Sequence, residues 1–99
     1  MFHHVVLMQL TDADAVFHAR VAASVARVRA EVAGLVSFSF GPNRADRGRG
    51  YDWAVIGLFA GAADHDAYQV SPAHVALKAI MNPHITEMVV CDVETTEAA

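Results

Sequence analysis

The chain has 99 residues, enough for a single domain (residues 1–99) with a small core, yet 55% of it is hydrophobic, which points to apolar surface covered by self-association. A net charge of −4 and a pI near 5.8 argue against a nucleic-acid binder, which carries a clustered basic face. One cysteine excludes an intrachain disulfide, no apolar run approaches the length of a membrane span, and the expected location is the cytoplasm.

Residues 2–10 are apolar at nearly every position, the pattern of a strand covered on both faces, with Phe2, His4, Val6, Met8 and Leu10 on one side. They lack the basic start and the cleavage pattern of a signal peptide. Thr11-Asp12 has the chemistry of a helix cap, and Phe17, Val21, Val25, Val28 and Val32 then recur at spacings of three and four. This predicts one amphipathic helix, with Arg20, Arg27 and Glu31 off its apolar stripe and Gly34 at its end.

Residues 35–40 predict a second strand with Val36, Phe38 and Phe40 on one face and Ser37 and Ser39 on the other, a half-polar pattern suited to a sheet edge. Arg44, Arg47 and Arg49 follow in a Gly-rich loop with Asp46 and Asp52 nearby, which reads as solvated loop and not as an anion site. Residues 52–59 predict a third strand, apolar on both faces. A short helix over 62–68, a break at Ser71-Pro72, a second short helix to 81 and a stop at Asn82-Pro83 come next. The last strand spans 87–94, with Cys91 expected as a small buried hydrophobe, and the tail 95–99 is expected to fray.

This order is the split β-α-β arrangement of an α+β, ferredoxin-like fold: a four-stranded antiparallel sheet with helices on one face. The other face would carry Val5, Leu7, Ala54, Ile56 and Leu58 with nothing in the chain to cover them. A second copy of the same sheet is the economical cover, giving a homodimer whose sheets pack face to face, a dimeric α/β barrel.

The segment Tyr68-Gln-Val-Ser-Pro-Ala-His74 carries the most chemistry. Pro72 disfavours helix at Ser71 but suits the first position of a new helix, with Ser71 as its N-cap. His74 then falls in a first helical turn, where the positive end of the dipole opposes protonation and leaves a neutral imidazole usable as a base. The six histidines include no i, i+4 pair and no cysteine at zinc spacing, and His65 reads as part of a polar helix turn, so no metal site is expected.

With His4-Val-Val-Leu-Met, Gly41-Pro-Asn43 and Leu58-Phe59, the Tyr68, Pro72 and His74 spacing resembles the stress-responsive A/B barrel domain (Dabb) family over nearly the whole chain. The resemblance implies a dimeric α+β barrel. It also implies similarity to that family's polyketide cyclase, which works without a cofactor and in which the matching Tyr and His line the pocket, the His acting as base. On that likeness Tyr68 and His74 are the candidate catalytic residues. The candidate ligand-binding residues are His4, Val6, Met8, Trp53, Val55, Val75, Leu77, Met88 and Val90. Trp53 stands where the cyclase has a second histidine.

The chemistry expected of such a pocket is removal of a proton from carbon next to a carbonyl, with His74 as base and Tyr68 donating to the enolate oxygen. That would make the chain a cofactor-independent cyclase or lyase acting on a polyketide-like carbonyl compound. Two other readings share the architecture: a non-catalytic, stress-responsive binder of a small hydrophobic ligand, and a cofactor-free monooxygenase.

Overall fold

The computed structural model describes residues 1–96. Strand β1 (Phe2–Leu10) leads into helix α1 (Ala15–Glu31), then β2 (Leu35–Pro42), β3 (Trp53–Phe59), α2 (Ala62–Gln69) and α3 (Pro72–Met81); a 3₁₀ turn (Asn82–His84) and β4 (Ile85–Glu94) follow. The four strands form one antiparallel sheet in the order β2-β3-β1-β4, so the first strand lies in the interior and the last forms an edge. All three helices pack on one face, which is the ferredoxin-like α+β fold.

The stripe of α1 behaves as its spacing dictates: Phe17, Val21, Val25 and Val28 are buried, and Val32 packs at the margin of the core. Its cap is not Thr11-Asp12. Asp14 takes that role, its carboxylate accepting from the Phe17 N–H at 2.9 Å, while Asp12 sits in the left-handed region at φ 54. The expected end of α1 stands, with Gly34 at φ 75 reversing the chain into β2.

In β2 the register slips between Leu35 and Ser37, so Val36 is an extra residue. This bulge moves Val36 off the face of Phe38 and Phe40 and leaves it exposed. The arginine loop is solvated, with Arg44, Arg47 and Arg49 all exposed. Asn43 closes it: its side-chain amide donates to the Tyr51 carbonyl, and its carbonyl oxygen accepts from the Ala45 N–H.

The expectation for Cys91 is overturned. Strand β4 is an edge uncovered on its outer face, and Cys91 is exposed there. The sheet pairing also outlasts the expected fray point. Thr95 N–H donates to the Met1 carbonyl at 2.8 Å and the Met1 amine donates back to Thr95, while residues 97–99 lie outside the described residues.

Gly57 shows how tightly the sheet meets the core. It pairs with His4 on one side and Phe38 on the other, and a Cβ there would sit 3.0 Å from the Phe59 ring and 3.2 Å from the Phe38 ring. Both rings are almost wholly buried and have no free direction in which to yield. Gly57→Ala is therefore expected to destabilise the fold by about 1–3 kcal/mol through overpacking, read as a lower urea midpoint at unchanged m-value.

Candidate active site in the cavity between helices and sheet

A cavity of about 210 Å³ opens between α2, α3 and the helix-facing side of β1 and β4. The sequence dictates its position. The helices do not fully cover β4, so Met88 and Val90 stay about half exposed opposite Met8 and Val6 on β1. Val55 on β3 and Leu77 and Met81 on α3 complete an apolar wall. The volume lies below the range of about 300–1,000 Å³ typical of drug-sized pockets, which favours a compact ligand.

Tyr68 and His74 meet at this cavity because of the helix break. Ser71 caps α3 by accepting from the His74 N–H at 3.2 Å and donates its own hydroxyl to the Tyr68 carbonyl at 2.7 Å, tying the end of α2 to the start of α3. The two rings stand 4.3 Å apart, centroid to centroid. His74 Nδ1 lies 2.9 Å from the Gln69 carbonyl oxygen, which can only accept. That bond places the proton on Nδ1 and leaves Nε2 with a lone pair.

Burial, first of all, holds the His74 imidazole below its ordinary value of 6.5; the Gln69 carbonyl opposes this, and Lys78, His4 and His65 add to it. Burial therefore favours the neutral imidazole. Burial also pushes the Tyr68 phenol far above its usual 10, so it remains a neutral O–H donor at physiological pH.

On the opposite wall the strand register sets His4 directly across from Asp92, and His4 Nδ1 lies 2.6 Å from Asp92 Oδ1. His65 packs behind them, its ring 4.6 Å from that of His4 and stacked on Phe2 at 4.5 Å. It is only 3% exposed, and its Nε2 has no hydrogen-bond partner among the described residues. The polar helix turn expected around His65 is thus corrected: Asp66 faces out, while His65 shares the inner face of α2 with Tyr68. Burial, then the nearby His4, hold His65 below 6.5 against the opposing pull of Asp92 and Asp66.

Two buried histidines held below 6.5 make stability depend on pH. As pH falls through about 6.5 the unfolded chain binds protons that folded His65 and His74 resist, so unfolding free energy is fullest above 6.5 and declines below it. Denaturation midpoints are expected to drop between about pH 7.5 and about pH 5, and the drop to shrink in His74→Gln.

Of the sequence candidates, His4, Val6, Met8, Val55, Tyr68, His74, Leu77, Met88 and Val90 line the cavity. Trp53 and Val75 do not. Trp53 pairs with the cavity-lining Met8 but stacks on Phe40 and packs against His18 of α1, and Val75 points outward from α3 at 58% exposure. Gln69, Lys78, Met81, Asn82, Ile85 and Asp92 also line it and were not among the candidates.

A one-sided ferredoxin-like sheet with a small apolar cavity holding a histidine and a phenol defines the class to which the molecule conforms. The chain belongs to the stress-responsive A/B barrel domain (Dabb) family, whose model matches residues 2–95.

Its fold is similar to that of a dimeric ferredoxin-like protein of unknown function from Thermobifida fusca, at 24% identity and TM-score 0.79, over 95% of this chain and 90% of that one. It is also similar to the hydroxynitrile lyase of Passiflora edulis, at 16% identity and TM-score 0.81, over 99% and 95%. A third similar structure is an antibiotic biosynthesis monooxygenase, at 13% identity and TM-score 0.78, over 98% and 100%. No curated protein matches the sequence.

Proposed function

We propose that the protein is a homodimeric barrel that binds a compact carbonyl compound in this cavity and acts on it as a cofactor-independent lyase or cyclase. The observation that carries the reading is the pairing of a tautomer-fixed, neutral His74 with a neutral Tyr68 at one apolar cavity. His74 Nε2 takes a proton from carbon beside the carbonyl, and the Tyr68 O–H donates to the enolate oxygen that forms. The enolate then expels a leaving group from the β carbon or attacks a second carbonyl within the same molecule, and protonated His74 returns its proton to the departing group or to the new alkoxide. The apolar wall of Val6, Met8, Val55 and Leu77 excludes water and strengthens both interactions.

The small volume favours short carbonyl compounds over extended polyketides, and the likeness in fold to the Passiflora enzyme supports including hydroxynitriles among the first compounds tried; there His74 would take the hydroxyl proton as the C–CN bond breaks, cyanide leaves and the carbonyl forms. Dimerisation is supported by the exposed apolar outer face of the sheet and by the dimeric state of fold neighbours. The test is to compare binding and turnover in His74→Gln. Lost turnover with retained binding supports catalysis by His74. Binding by the native protein with no turnover of any carbonyl compound leaves the non-catalytic binder. The fold likeness to a monooxygenase favours one further reading, for which substrate-dependent oxygen uptake is the deciding measurement.

A further inference from the structure

The His74–Tyr68 chemistry gives the buried His65 no role. His65 is only 3% exposed, its Nε2 has no partner among the described residues, and an orphaned buried nitrogen of this kind is unfavourable unless something satisfies it. His4 and Asp92 lie beside it, and one ligand-type atom from each of the three residues falls within 4.8 Å of the others. We propose that His4, His65 and Asp92 form a binding site for a divalent transition-metal ion of the zinc class, with its open coordination position facing the cavity.

The donor set chooses the ion. Two imidazoles and one carboxylate suit zinc, cobalt or nickel, whereas magnesium and calcium want oxygen ligands throughout. The geometry is close to what such an ion needs. Metal–ligand bonds of about 2.0–2.2 Å in a tetrahedral site put ligand atoms about 3.3 Å apart, between the 2.6 Å His4–Asp92 separation and the 4.8 Å outer limit. The ion would replace the proton now shared between His4 and Asp92. Asp92 has room to adjust, because it lies on an exposed edge strand with its side chain about one-third accessible.

The three ligands are held unequally, which shapes the site. His65 is fixed by packing on Phe2 and Phe59, and His4 is fixed within interior strand β1. His4 and Asp92 line the cavity while His65 packs against His4 outside its lining, so a water or an oxygen of a bound ligand would complete the coordination from the cavity side. Three protein ligands with one open position is the arrangement of reactive zinc sites and not of closed structural ones. The site stands independently of the His74 reading, since neither His74 nor Tyr68 belongs to it.

The test uses the purified full chain, stripped with a chelator and titrated with Co²⁺ and Zn²⁺. The expected result is one ion per chain with a Kd of about 1 µM or tighter, visible Co²⁺ absorption of the tetrahedral type, and a Zn²⁺-dependent rise in Tm. His65→Gln should weaken binding by about 100-fold or more and Asp92→Asn by about 10-fold or more, whereas His3→Gln and His84→Gln should leave it unchanged. Because Asp92 is exposed, its variant keeps the test decisive even if His65→Gln folds poorly. The proposal is overturned if native protein takes up no ion at about 100 µM Zn²⁺, or if binding persists unchanged in Asp92→Asn or in folded His65→Gln.

Discussion

His74→Gln is expected to lower kcat on the carbonyl substrate by about 10²–10⁴-fold while changing ligand affinity by no more than a few-fold. Glutamine keeps approximate size and a donor for the Gln69 carbonyl, so the start of α3 and the cavity wall should survive. What it removes is a nitrogen that takes up and releases a proton near neutral pH. The apolar surfaces that would hold the ligand, Met8, Val55 and Leu77 among them, are untouched. The pH profile separates a lost base from a merely disturbed pocket. In the native protein kcat/KM should rise with pH and level off after a midpoint below 6.5, since burial holds His74 below that value and the neutral form is the active one. In the variant that limb should vanish. A variant that keeps native turnover, or keeps the same limb, would remove His74 from the mechanism.

Local chemistry made the fold and half of the site readable. Ser71-Pro72 fixes a helix boundary through proline geometry and a short-range cap, so the approach of Tyr68 to His74 follows from seven consecutive residues. The stripe of α1 and the two-faced strands were legible from periodicity alone.

The His4–Asp92 pairing on the opposite wall was not legible, because it depends on strand register, and 88 residues separate the two. A signal was nevertheless present. Asp92 alternates in step with Met88 and Val90, and His65 stands three residues before Tyr68, on the same helical face. Flanking Asp64 and Asp66 made His65 look like surface. Trp53 went astray for another reason: alternation gives the face of a strand but not which element covers each residue, and Trp53 shares its face with Val55 while packing under α1 against His18 and Phe40. Cys91 looked buried because its neighbours are apolar, but those neighbours form an edge strand that one chain leaves uncovered.

That uncovered face leads to the second large effect: Ile56→Lys should convert a dimer into a monomer. Registered pairing runs rows straight across the outer side of the sheet, one of them from Ile56 on β3 to Val5 on β1 and Cys91 on β4, the next from Ala54 to Leu7 and Val89. Ile56 is 51% exposed and Val89 and Val93 are each 46% exposed, so the face is contiguous, apolar and wet in a single chain. A two-fold partner laying the same rows against it would bury Ile56 twice, once from each subunit. Lysine at this position would bring two unpaired charges into the interface, each costing several kcal/mol to desolvate, and should weaken association by about 10³-fold or more. The isolated fold has little stake in the change, because Ile56 points away from the core that Phe38, Phe59 and Val55 build on the other face. Sedimentation velocity at micromolar concentration should therefore give twice the 10.6 kDa chain mass for the native protein and the chain mass for the variant, with far-ultraviolet circular dichroism unchanged. A native monomer, or a variant that still sediments as a dimer, would show that this face is not where two copies meet.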